Sequence, residues 1–164
     1  METITPNQVS KVEAGRDRYG RDDLMIWGVL PLAIKVSGQE TNGQFMLFEH
    51  AGMDKGGPPR HVHYGQDEWF YIIRGVYVFE VGDARCQLGA GASLFAPREV
   101  PHGWACVSDE PGTLLTLITP VNTFEDFILE TTRHASLPTR EDIEHAFATH
   151  GMKLTGPPLE LEAA

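Results

Sequence analysis

The apolar positions change period once along the chain. From Met25 to Thr119 they fall in short runs of four to eight residues, separated by glycine, proline and Asn-Gly or Gly-Asp pairs. From Phe124 to Phe147 they recur at helical spacing. Short runs with alternating burial are the signature of half-buried strands, and turn residues at roughly ten-residue spacing predict a sandwich or barrel. Residues 1–24 are polar and aperiodic and read as an arm or a lead-in strand. Met25 to Val36, interrupted by Gly28 and Pro31, reads as two short strands with a kink. Further strands are expected over Gln44–His50, Glu68–Ile73, Val76–Val81, Arg85–Leu88, Ser93–Ala96, Gly103–Val107 and Thr113–Thr119. Asn42-Gly43 and Gly82-Asp83 mark turns. Gly52 to Pro59, with three glycines and two prolines, is expected to hold no regular structure.

In the last third, Thr123 with Asp126 and Thr139 with Asp142 each predict a capped helix start, with Phe124, Phe127 and Ile128, then Ile143, Ala146 and Phe147, on apolar faces. Those faces read as core or lid contacts. Gly151 is a helix stop, and Thr155-Gly156-Pro157-Pro158-Leu159 is an extended tail. The resulting division is an arm at 1–24, a β domain at 25–120 and a helical segment with its tail at 121–164.

Composition changes this picture little. The chain has 164 residues, 41% of them hydrophobic and 22% charged, which fits one ordinary domain and excludes wholesale disorder. Thirteen Lys plus Arg against 23 Asp plus Glu give a net charge of −10. Such an acidic chain is repelled by phosphate backbones and anionic lipid, so neither nucleic acid nor a membrane is an expected partner. No apolar run approaches the ~20 residues of a membrane helix. The amino terminus has neither a basic start nor an apolar stretch, so no secretory signal is read and a cytoplasmic setting is expected. Cys86 and Cys106 cannot form a disulfide framework and read as two reduced, half-buried thiols.

The candidate chemistry lies between Gly56 and His102. His61-Val62-His63 puts two imidazoles on one face if the segment is a strand. Glu68 follows at the head of the next strand, and a tight loop over Tyr64–Asp67 would return its carboxylate to the imidazoles. His102 comes much later, after Pro97-Arg98-Glu99-Val100-Pro101. Three imidazoles and a carboxylate suit a divalent first-row metal with positions left for substrate. By contrast, His50, His134, His145 and His150 have no such pattern around them and read as surface or hydrogen-bonded residues. Strand parity places Phe70 and Ile72 on the inward face with Glu68, and Trp104 and Cys106 on the inward face with His102. Phe70, Ile72 and Trp104 are thus the candidate wall of an apolar pocket for a planar organic substrate. Asp67 should face away from Glu68, and Arg60 reads as a surface residue.

These residues resemble the two motifs of the cupins. In the first, G-x5-H-x-H-x(3,4)-E-x6-G, the matches are His61, His63, Glu68 and Gly75, with Gly56 or Gly57 beside the leading position and Lys55 on it. In the second, G-x5-P-x-G-x2-H-x3-N, they are Gly91, Pro97 and His102, with Glu99 and Cys106 replacing the second glycine and the asparagine. Thr41-x-Gly43, Pro58-Pro59, Asp67-Glu68-Trp69-Phe70-Tyr71 and Gly156-Pro157-Pro158-Leu159 add a likeness to small bacterial single-domain cupins described as quercetin 2,3-dioxygenase-like. The resemblance implies an all-β, double-stranded β-helix (jelly-roll) barrel with one or two short C-terminal helices. It implies His61, His63, Glu68 and His102 as ligands of one divalent transition metal, drawn from Fe, Mn, Ni, Co, Cu or Zn. It also implies a homodimer. The expected activity is a metal-dependent dioxygenase of a small aromatic or enolic substrate, with Glu68 as general base. The alternatives are a metal-dependent isomerase or lyase, and a cupin that binds a metabolite without catalysis.

Overall fold

The computed structural model describes residues 4–133 and 137–161. His134 lies outside them. Residues 4–24 form no strand. They are nonetheless tied to the β domain, because the buried Asp17 carboxylate accepts a hydrogen bond from the Ile34 amide at 2.9 Å.

The strands are β1 (Met25–Ile26), β2 (Leu30–Pro31), β3 (Ala33–Val36), β4 (Met46–Met53), β5 (Pro59–His63), β6 (Asp67–Arg74) and β7 (Val76–Val81). They continue with β8 (Ala84–Gly89), β9 (Ser93–Ala96), β10 (His102–Cys106), β11 (Gly112–Thr119) and β12 (Met152–Pro158). Two helices, α1 (Phe124–Thr131) and α2 (Arg140–Thr149), fall between β11 and β12. Apart from the β1–β2 hairpin, the strands form two five-stranded antiparallel sheets, in the orders β12-β5-β10-β7-β8 and β3-β4-β11-β6-β9. This is a jelly roll, a double-stranded β-helix.

Most sequence-predicted strands are present within a residue or two. Period-two burial is clean where it decides the site. In β6, Glu68, Phe70 and Ile72 are buried, while Tyr71 and Ile73 face solvent. The Asn42-Gly43 turn has both residues at positive φ (52° and 77°), and Gln44 donates to the Thr41 carbonyl at 3.1 Å. That is the conformation these two residue types favour.

Five expectations are corrected. Met25 to Val36 holds three strands and not two. The glycine- and proline-rich stretch is not wholly irregular, because β4 runs on to Met53 by pairing with the start of β11. The tail is more than extended: β12 pairs with β5, with Met152 opposite His63 and Leu154 opposite His61. An edge position tolerates Pro157 and Pro158, since only one side needs backbone donors. Finally, Thr123 makes no side-chain capping bond to α1, whereas Thr139 and Asp142 form a complete capping box on α2. The cysteines differ as well, Cys86 being exposed and Cys106 buried.

The core has two parts. Phe70, Ile72, Tyr77, Phe79, Trp104 and Leu114 fill one end between the sheets. Ile26, Trp27, Phe48, Phe124, Phe127, Ile128, Phe147 and Met152 fill the other, where the helices close over it. Fully burying a side chain of this size contributes about 1.5–3 kcal/mol. The Glu125 carboxylate fixes α1 in this position. It accepts hydrogen bonds from the Tyr19 hydroxyl at 2.6 Å, the Ser37 hydroxyl at 2.8 Å and the Gly38 amide at 2.9 Å.

Candidate metal centre

His61 and His63 stand on β5, and His102 on the adjacent β10, directly opposite His61. Glu68 comes from β6 in the facing sheet. One ligand atom from each of the four lies within 4.8 Å of the others, and all four residues are buried. The four-residue turn after His63 that brings Glu68 back is held by its own contacts. The Asn122 side-chain amide donates to the Gly65 carbonyl at 3.2 Å, and the Gln66 amide to the Val121 carbonyl at 3.1 Å.

The orientation of each ring is set from behind. His61 Nδ1 lies 2.7 Å from the Pro59 carbonyl, His63 Nδ1 lies 3.2 Å from Gln66 Oε1, and His102 Nδ1 lies 3.4 Å from the Val100 carbonyl. Carbonyl oxygens only accept, so the contacts of His61 and His63 place their protons on Nδ1 and turn each Nε2 inward, while His102 Nε2 faces the Glu68 carboxylate. Gln66 is itself fixed, because its amide nitrogen is committed to Val121. This is the outer shell that metal-binding imidazoles use.

Burial, reinforced by the neighbouring imidazoles, pushes His61 down to about 3, and burial likewise lowers His63. Both rings are therefore neutral near pH 7. Their Nε2 atoms nevertheless face each other at 3.2 Å. Two lone pairs at that distance repel unless a cation lies between them. Burial alone would raise Glu68, but the hydrogen bond with His102 and the adjacent imidazoles outweigh it and hold the carboxyl at about 2. Its Oε2 lies 2.8 Å from His102 Nε2 and 3.4 Å from His63 Nε2. An anionic oxygen with three inward nitrogens is a donor set fitted to one divalent transition ion. The buried His-His-Glu-His group could hold a metal.

The centre opens into a cavity of about 1180 Å³. Besides His61, His63 and Glu68, its wall includes Phe48, His50, Trp104, Phe124, Phe127 and Phe147. Among the pocket residues expected from the sequence, Trp104 lines this space. Phe70 and Ile72 point inward as parity requires but do not line it. Both are fully buried among the core side chains, so they back the site and do not face its contents. Asp67 faces away and pairs with Arg98 at 2.8 Å, and Arg60 pairs with Glu80 at 2.7 Å near the surface.

His50 is the residue that sequence reasoning missed. It is not a surface histidine: it is 3% exposed and lines the cavity beside Trp104, with ring centroids 5.2 Å apart. The available signal was its inward parity with Met46 and Phe48 on β4. His150 does take the ordinary role expected of it, bonding Glu130 at 2.8 Å. The lid aromatics Phe124, Phe127 and Phe147 were read as core or lid contacts, and they are both packed core and cavity wall.

Residues 50–118 match the family model described as Cupin domain. Among solved structures, an RmlC-like cupin from Shewanella frigidimarina is 28% identical, with a TM-score of 0.50 over 61% of this chain and 82% of that one. TT1209 from Thermus thermophilus is 29% identical, with a TM-score of 0.44 over 48% of this chain and 74% of that one. The Cnp3 cupin domain of Schizosaccharomyces pombe shares the fold at 16% identity, with a TM-score of 0.50 over 59% of this chain and 68% of that one. No curated protein matches the chain. No helix among the described residues is long and apolar enough to cross a membrane. The matched domain and the cupin-fold neighbours, joined to the buried His-His-Glu-His group, support the cupin superfamily for this chain.

Proposed function

We propose that this protein is a metal-dependent cupin enzyme, a dioxygenase of small planar aromatic or enolic compounds in the manner of quercetin 2,3-dioxygenase. One observation carries the reading. Three of the four inward donors, His61, His63 and Glu68, open directly into a cavity walled by Phe48, Trp104, Phe124, Phe127 and Phe147. Flat apolar walls suit a flat apolar molecule, and they offer few partners to a polyhydroxylated sugar.

A bound divalent cation would supply Lewis-acid stabilisation of an ionised enol or phenol oxygen, which is the form dioxygen attacks. The protein's own groups do the rest. Trp104 and Phe124 orient the ring plane, and the aromatic walls exclude water. Glu68, ionised and at the cavity wall, is the group placed to take the hydroxyl proton. A metal-dependent isomerase or lyase is the second reading. His50 favours it, because an imidazole outside the ligand group in the same cavity as Glu68 gives proton relocation two stations. The homodimer and the cytoplasmic setting belong to the same proposal; sedimentation equilibrium tests the first.

The test begins with elemental analysis of protein purified without chelators, where about one transition-metal ion per chain is expected. Oxygen uptake is then measured across flavonols, diones and catechols, with loss of uptake expected in His61→Ala. Turnover without uptake would replace the dioxygenase with the isomerase or lyase. Binding without turnover would leave a metabolite-binding cupin. Metal-free protein that also fails to take up added metal would remove all the metal-dependent readings.

A further inference from the structure

The metal centre does not use His50, yet His50 is more tightly placed than any surface histidine. Its Nδ1 lies 2.6 Å from the Pro31 carbonyl, so that nitrogen carries the proton and donates. Phe48 packs edge-on against the ring at 5.4 Å, and Trp104 packs on it at 5.2 Å, which fixes its plane. Burial lowers its pKa to about 4, so the ring is neutral and its Nε2 is an acceptor. Among the described residues, the one hydrogen bond of this side chain is that at Nδ1. The ring itself lines the cavity. The fold therefore presents one fixed, uncharged acceptor to whatever fills the space. An acceptor at a cavity wall with no protein donor binds best an occupant that supplies one.

We infer that His50 Nε2 accepts a hydrogen bond from a hydroxyl of the bound molecule, distinct from the oxygen directed to the metal centre. Trp104 is two residues beyond His102 on β10, a rise of roughly 7 Å, and its ring lies against His50. A planar compound of two fused rings laid along Trp104 has reach on that scale. The substrate class is thereby narrowed to planar compounds with one coordinating oxygen and a second, donating hydroxyl across the ring system. This rests on the cavity being a small-molecule site, but not on which reaction follows.

The probes are 2,6-dihydroxynaphthalene and 6-methoxy-2-naphthol, titrated into metal-loaded protein by tryptophan fluorescence. Each offers one hydroxyl to the metal centre, and they differ only in whether the far oxygen can donate. Wild-type protein should favour the diol by about tenfold, the scale of one hydrogen bond to a buried acceptor. His50→Leu should bind the two alike at unchanged metal content, and His50→Gln, which keeps an acceptor, should restore part of the preference. Because His50→Leu could unfold, the same contact is read in wild type by 15N NMR: the His50 Nε2 resonance should move upfield with the diol and stay in place with the methyl ether. Equal wild-type affinities, failure to bind either probe, an unmoved resonance, or a preference that survives in folded His50→Leu would each overturn the assignment. Absence of oxygen uptake would sink the dioxygenase reading and leave this one standing.

Discussion

His102 shows how much one side chain can carry. It faces His61 across the β5–β10 ladder and reaches Glu68 in the opposite sheet. In His102→Ala, metal content should fall below about a tenth of the wild-type stoichiometry while the β-rich circular dichroism persists, because the core residues around it stay in place. Unchanged stoichiometry would refute its role as a ligand. Gln66 is a subtler case. It is no ligand itself, but it holds the His63 ring by its Oε1 and anchors itself on Val121. Gln66→Leu should weaken metal affinity by roughly 10–100-fold, as loss of an outer-shell partner does elsewhere. A competition titration with a chromophoric chelator measures this, and an affinity equal to wild type would dismiss the positioning role.

At the scale of elements, the two helices begin with the same sequence cue and are built differently. Thr139 accepts from the Asp142 amide while Asp142 reaches back to the Thr139 amide. Thr123 has no such bond, because α1 is anchored by Glu125 through Tyr19, Ser37 and Gly38. Thr139→Ala should therefore cost about 0.5–2 kcal/mol of stability at the α2 start, and Thr123→Ala close to nothing. Urea unfolding with amide exchange over residues 139–149 separates the two, and equal effects would contradict the capping assignment. The β12 edge matters for the same reason. It covers the flank of β5 opposite β10, so both histidines of the His-x-His pair sit in a strand paired on either side.

At the scale of the molecule, the two sheets meet over groups that the fold keeps uncharged. His50 and His61 have folded-state pKa values near 4 and 3, against 6.5 in the unfolded chain. Between those values the unfolded chain binds more protons than the folded one. Stability is thus complete above pH 6.5 and is lost as pH falls below it, by up to about 2 kcal/mol per imidazole at pH 5. Glu68 adds a further loss between its ordinary 4.5 and about 2. Metal-free protein should show a clear fall in Tm from pH 7 to pH 5, with no more than about half of the fall removed in His50→Gln, because His61 keeps its share. A flat profile would show that the imidazoles are not held neutral. Added divalent metal should raise Tm at pH 7 through binding to the folded state alone, with less effect at pH 5, where protons compete for the ligands.

Much of the site could be read from the chain because its parts are local. His61 and His63 share a face through the period of two, the return of Glu68 needs one short loop, and turn chemistry such as Asn42-Gly43 needs only its own two residues. Strand and helix identity followed from the same short-range periodicities. Other features depend on partners distant in sequence. His50 became a cavity residue only when β4 paired with β11 and Trp104 arrived from β10. Phe70 and Ile72 fell behind the wall because other side chains reached the cavity first. The proline-rich tail became a strand because an edge of β5 was free to receive it. Periodicity tells which way a side chain points, but what it meets there is set by chain closure, and that is a property of the folded whole.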